Sequence, residues 1–186
     1  MAIDEAALQR LLDKEAIREA ALKYTRGIDR HDEDIMRQAY HPDACDDHGE
    51  YIGDPEGFIH YANNVHSDNW KVHHHFVTNM TIELVGDAAH CETYFFATLS
   101  RHQGGTDVAA GRYVDRFEKR SGQWAVADRI CMVEWSGLIP EAEGAVGYDT
   151  FIRGTWDRSD PSYMRPLKLN RPDRIPPQYA HLKLPA

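Results

Sequence analysis

Histidine and aspartate are the residues here whose spacing suggests proton transfer, and the chain of 186 residues holds 11 histidines. Three stand in a row as His73-His74-His75. On a strand, two-residue alternation puts His73 and His75 on one face, continued by Val77 and Asn79, with His74 on the other. Two imidazoles so placed could hold a metal with Asp46, His48 or His102 as a third ligand, but the spacing matches no established ligand motif. Alternatively, one histidine faces a cavity and pairs with a carboxylate that fixes its tautomer, which makes it a general base near neutral pH. A polar strand entrance without chemistry is the third reading. In Asp46-Asp47-His48-Gly49, alternation groups Asp46 with His48, again an acid beside an imidazole, although a turn rich in Asp and Gly explains the same residues. Asp29 follows the apolar positions Tyr24 and Ile28, which places its carboxylate at the border of core and cavity. A half-buried acid there would have a raised pKa and could act as a base, whereas a solvated helix end would use it only as a cap.

The elements that must position these groups are legible in the periodicity. Leu8, Leu11, Leu12, Ala16, Ala20, Tyr24 and Ile28 recur in steps of three and four and predict a helix over Asp4 to Asp29. A short helix is expected from Asp32 to Tyr40, ended by His41-Pro42. A third opens at Asp54-Pro55-Glu56, with Asp54 as N-cap and Pro55 as the first helical residue, and runs to about Val65. Beyond Trp70, stretches around 72 to 85, 88 to 102, 108 to 120 and 123 to 135 are rich in β-branched and aromatic residues. Gly86-Asp87, Gly104-Gly105 and Ser121-Gly122 separate them, which predicts an antiparallel meander of long strands. Strands of this length twist and curl, so one face can wrap around the first helix. The expected architecture is α+β, a half-open cone whose mouth the helices partly close, leaving a cavity. Residues that could face that cavity are Tyr94, Phe96, Thr98, Ser100 and His102 on one strand, Arg112 or Tyr113 on the next, and Arg129 or Trp135 on the last. The remainder, from Ser136, carries most of the nine prolines and reads as irregular chain over the surface.

Composition narrows the function classes. Twenty-one Lys and Arg against 30 Asp and Glu give 21 − 30 = −9, a charge that repels nucleic acid backbones and anionic lipid. The three cysteines show neither CxxC spacing nor an even number, so the expected setting is a reducing cytoplasm. The N-terminus lacks the basic and apolar parts of a secretion signal, and no uncharged run approaches the ~18 residues of a membrane span. A P-loop, a dinucleotide fingerprint, GxSxG and HExxH are absent from the sequence. The expectation is an enzyme that moves protons without cofactor or metal.

The segments LLDKEAIREAALKYTRGIDRHD, YHPDACDDHGEYIG, HHHFVTNMTIEL, CETYFFATL and GRYVDRFEKRSGQWAVADR, in this order, resemble the SnoaL-like branch of the nuclear transport factor 2 superfamily. The resemblance covers roughly residues 5 to 136. It implies a cone-shaped SnoaL-like domain over 1–136, a C-terminal extension over 137–186 packed on the same domain, and a homodimer or homotrimer. Members include scytalone dehydratase, bile acid 7α-dehydratase, hexachlorocyclohexane dehydrochlorinase, ketosteroid isomerase, polyketide cyclases and a diarylpropane lyase. Several pair an Asp on the first helix with a His in an H-x-x-x-N strand, which on this chain are Asp29 and His75, the latter with Asn79. Tyr24 matches a tyrosine of the bile acid dehydratase type, where the dehydrochlorinase type has a lysine, and this disfavours dehalogenation. The resemblance therefore implies a lyase of the dehydratase type acting on an aromatic or polycyclic alcohol. His75 and Asp29 would be the base and its orienter, Tyr24 or His48 the acid, and Asp46, Tyr94, Phe96, Thr98, His102 and Trp135 would line the substrate site. A phenol with a benzylic hydroxyl would give a quinone methide and could go on to carbon–carbon cleavage. The same fold also serves as isomerase, cyclase, or a non-catalytic module such as the small subunit of ring-hydroxylating oxygenases.

Overall fold

The computed structural model of the protein describes residues 4–141, 151–169, 171, 172 and 174. Helix α1 spans Glu5–Arg30, with the Asp4 side chain accepting from the amides of Ala6 and Ala7 at its start. It ends at His31, whose left-handed backbone (φ 50°) closes the last turn onto Gly27 and Ile28. Helix α2 is only Glu33–Arg37, shorter than its expected span, because Tyr40 already belongs to strand β1, Tyr40–Asp47. Strand β2, Ile52–Gly53, leads to α3, Pro55–Asn69, capped by Asp54 and followed directly by the sheet.

The four long strands are β3 Trp70–Val85, β4 Ala88–Arg101, β5 Thr106–Arg120 and β6 Gln123–Ile139. They form the expected antiparallel meander in a sheet ordered β2-β1-β6-β5-β4-β3, in which β1 runs parallel to β6. Gly86, Gly104, Gly105 and Gly122 adopt positive φ at the three turns. The concave face of the sheet holds the core with the second half of α1: Ile17, Ala20, Tyr24 and Ile28 pack with Phe58, Ile59, Phe95, Tyr113 and Phe117. The first half of the α1 stripe departs from expectation. Leu8, Leu11 and Leu12 are exposed, since this end of the helix extends past the packed core.

No described helix is long and apolar enough to cross a membrane. Strand β6 runs to Ile139, three residues into the segment read as C-terminal extension. Of that extension, residues 142–150, 170, 173 and 175–186 lie outside the described ones. The part around the short 3-10 turn Pro161–Tyr163 is tied to the α1–α2 corner. Asp160 accepts from Arg30 (3.3 Å), and Tyr163 donates to Asp32 (2.7 Å).

Candidate active site

Asp29 and His75 meet. The last turn of α1 brings Asp29 against the start of β3, where its Oδ1 accepts from His75 Nδ1 at 2.7 Å and from His73 Nδ1 at 3.1 Å. The His75 backbone amide donates to the same carboxylate at 3.0 and 3.1 Å, so the helix end is pinned to the strand through one side chain. The expectation of a raised Asp29 pKa is corrected. Burial does act against the charge, but the hydrogen bonds from His73 and His75 and the His75 amide outweigh it and hold Asp29 well below the usual carboxylate range. Asp29 is thus a permanent anion that orients imidazoles rather than a base itself. With Nδ1–H donated to it, His75 keeps a lone pair on Nε2, and His75 lines a cavity of about 310 Å³.

As alternation predicts, His73 and His75 share one face of β3 and both reach Asp29, while His74 is exposed on the other; the two rings are tilted by 75° to each other. His73 is fully buried behind the dyad, and His75 faces the cavity. Asn79 does not continue their face: the register shift between Val77 and Met80 inserts an extra residue, and Asn79 becomes exposed.

A second imidazole–carboxylate pair stands on the same cavity. His48 Nδ1 is hydrogen-bonded to Asp46, and its Nε2 lies 3.1 Å from the Tyr24 hydroxyl. Asp46 is completely buried and also accepts from Tyr40 (2.6 Å), so its expected place in a substrate site is corrected: it supports His48 from within the core. Beneath Tyr24 lies Arg129, buried, paired in bidentate fashion with Asp115 (2.7 and 2.8 Å) and donating to Tyr40 (3.2 Å). Its guanidinium stacks 4.2 Å from the centre of the Tyr24 ring and 4.4 Å from that of Tyr113. Burial pushes the Tyr24 pKa well up, aided by Tyr113 and Tyr40, and the hydroxyl keeps its proton.

The remaining walls are mostly apolar and aromatic: Phe58, Tyr61, Ala62 and Val65 from α3, Phe95, Ala97 and Leu99 from β4, and Tyr113, Cys131 and Val133 from β5 and β6. Burial holds the Cys131 thiol up at about 12, which leaves it a wall and not a nucleophile. The α3 residues escape a first reading of the sequence, although the spacing of Phe58, Tyr61, Ala62, Val65 and His66 is that of one helix face.

Besides Asp46, the other five residues expected at the substrate site, Tyr94, Phe96, Thr98, His102 and Trp135, are absent from the cavity, and so is Ser100. On β4 the phase of alternation is the reverse of that expected, and Phe95, Ala97 and Leu99 point inward. Tyr94 and Phe96 lie on the outer face with Thr98, and Tyr94 packs there against Arg112. Trp135 is exposed near Phe96, and His102 lies past the end of β4, exposed, with Nε2 3.0 Å from the Ser67 carbonyl. The alternatives on β5 and β6 resolve to Tyr113 and Arg129 inward, Arg112 and Trp135 outward. The third ligands considered for a histidine pair, Asp46, His48 and His102, do not meet His73 and His75; Asp29 meets both, and His31 and His66 meet His73.

None of the curated proteins matches this chain in sequence. Among solved structures, a hexachlorocyclohexane dehydrochlorinase, LinA type 2, superposes with a TM-score of 0.68 at 22% identity, covering 75% of this chain and 99% of its own. A putative scytalone dehydratase from Novosphingobium aromaticivorans gives 0.64 at 14%, covering 74% and 97%. A single-residue variant of Rv3472, a Mycobacterium tuberculosis protein of unknown function, gives 0.61 at 21%, covering 69% and 75%. At such identities the likeness establishes the fold, which is shared by lyases and by proteins of unknown function alike. The SnoaL-like domain profile matches residues 9–130, and the chain, with its long first helix and six-stranded curved sheet, belongs to the SnoaL-like family of the NTF2-like superfamily.

Proposed function

We propose that this protein is a cofactor-independent lyase that eliminates water from a hydroxylated aromatic small molecule. The observation that carries the reading is the 2.7 Å bond from His75 to Asp29 at the wall of an apolar cavity whose other wall presents Tyr24 and His48, the latter backed by Asp46. His75 Nε2 takes a proton from carbon or from a phenol of the substrate. The C–O bond breaks, the departing hydroxyl takes the Tyr24 proton and leaves as water, and the electron pair forms the new conjugated bond. His48, held by Asp46, then relays a proton from solvent through Nε2 to the Tyr24 oxygen, and His75 releases to solvent the proton it took as the product leaves. General base and general acid contributions of ~10² to 10⁴ each suffice for a substrate activated by its ring.

A volume of about 310 Å³ is at the small end of ligand pockets, which favours a one- or two-ring phenol over a larger polycycle. On a phenol with a benzylic hydroxyl the product is a quinone methide, an electron sink that would also support a following carbon–carbon cleavage. An open cavity footed by two imidazole–carboxylate pairs favours catalysis over a purely structural module, whose interior side chains would fill. The reading includes assembly into a homodimer or homotrimer.

Incubation with one- and two-ring phenols bearing a benzylic hydroxyl tests the proposal. A product lighter by one water, lost in both His75→Ala and Asp29→Asn while the circular dichroism is unchanged, is expected. Near-normal turnover in either variant rejects the dyad. A product of unchanged mass replaces the lyase with an isomerase.

A further inference from the structure

Beside the dyad, three histidines from three elements converge: His31 at the end of α1, His66 on α3 and His73 on β3. Each offers a ring nitrogen, and these lie within 4.8 Å of one another. The Nε2 atoms of His31 and His73 are 3.2 Å apart. Two nitrogens bound to zinc at ~2.0–2.1 Å in tetrahedral geometry stand about 3.3 Å apart, so this edge already has the spacing of an ion site.

The chemistry of the three rings points the same way. His73 gives its Nδ1–H to Asp29, which leaves Nε2 as a lone pair directed at His31 and supplies the carboxylate–histidine–metal arrangement that orients a ligand from behind. His66 Nδ1 is buried with no hydrogen-bond partner, and a buried polar atom without one is expensive unless something coordinates it. The Trp156 ring stacks on His31 at 3.9 Å and covers the cluster from the C-terminal segment.

From these positions we infer that His31, His66 and His73 form a three-imidazole site for one divalent transition ion of the zinc, cobalt or nickel class. Three neutral nitrogens suit these ions and not magnesium or calcium, which require oxygen. Without the ion, His31 Nε2–H donates to His73. With it, His31 shifts its proton to Nδ1, both Nε2 lone pairs turn to the metal, and His66 closes the third position by a small ring rotation. The fourth position is left to water. Of the three ligands only His66 borders the cavity, and the ion takes no part in the elimination.

Titration of untagged, chelator-treated protein with Zn²⁺ by calorimetry and with Co²⁺ by visible absorption tests the site. One equivalent is expected, together with the intense visible bands of tetrahedral Co²⁺. His31→Ala and His66→Ala, both at partly exposed positions, should each weaken binding by more than ~100-fold, beyond the ~10–100-fold expected when the supporting Asp29→Asn change leaves all three ligands in place. His102→Ala, on the surface, should leave it unchanged. Absence of saturable binding, or equal affinity in His31→Ala, His66→Ala and the native protein, overturns the site, as does binding that His102→Ala removes.

Discussion

Tyr24 is held at both ends, its hydroxyl 3.1 Å from His48 Nε2 and its ring over the Arg129 guanidinium. Replacing Tyr24 by Phe removes the proton carried to the leaving group but keeps the ring on Arg129. It should lower kcat by ~10²- to 10⁴-fold with little change in KM, and single-turnover kinetics on the same phenols would show the loss in the chemical step. His48→Gln should act in the same direction, since it leaves Tyr24 unable to recover its proton. Arg129 belongs to stability more than to chemistry. Its partner Asp115 is buried, so Arg129→Met would leave an uncompensated carboxylate and cost roughly 3–5 kcal/mol, read as a lower denaturation midpoint in urea. An unchanged midpoint would mean that Asp115 finds another partner.

At the scale of elements, the α1–α2 corner sets where Asp29 lies. A Cβ on Gly27 would stand 2.8 Å from the Met36 backbone nitrogen, so α2 can approach α1 only because that position has no side chain. Gly27→Ala should cost about 1–3 kcal/mol and, by shifting the corner, lower activity more than an equal loss of stability elsewhere. The same corner is tied down by Asp160. Burial opposes its charge, but Ser162, Thr155 and Arg30 prevail and bring it to about 2. A depressed folded pKa gives stability that is complete above the ordinary carboxylate value of ~4 and lost as pH falls toward about 2. The gap in urea midpoint between native protein and Asp160→Asn should therefore be full at neutral pH and narrow in acid below ~4. A gap independent of pH contradicts the assignment.

These elements are legible in the sequence to different degrees. Asp29 and His75 follow from a helix stripe, a strand start and the family resemblance. The inward residues of β4 do not, because Tyr94, Phe96 and Thr98 and their neighbours Phe95, Ala97 and Leu99 are equally good strand formers, and only packing on α1 and α3 decides the phase. The bulge that turns Asn79 outward has no local sequence mark. The His31, His66 and His73 cluster joins three separate elements and becomes visible only once they are folded together.

At the scale of the whole molecule, an apolar ladder lies on the convex side of the sheet, uncovered among the described residues. Register aligns Phe76, Phe96, Ala110 and Trp135 across four strands, with Phe96 6.5 Å from Phe76 and 6.1 Å from Trp135 between ring centres. Phe76 and Trp135 are about half exposed. Phe96 and Trp135, expected to hold substrate, thus offer a surface for a second copy of the chain, in keeping with the proposed homo-oligomer. Light scattering should find a dimer or trimer, and Trp135→Asp or Phe76→Asp should release monomers that keep the fold; a native monomer would reject the assembly. The catalytic account itself rests on the proton map of one ring. Nitrogen-15 spectra of histidine-labelled protein at neutral pH should place the His75 proton on Nδ1, facing Asp29, and Asp29→Ala should abolish that preference. A proton on Nε2 in the native protein, or a tautomer indifferent to Asp29, would contradict it.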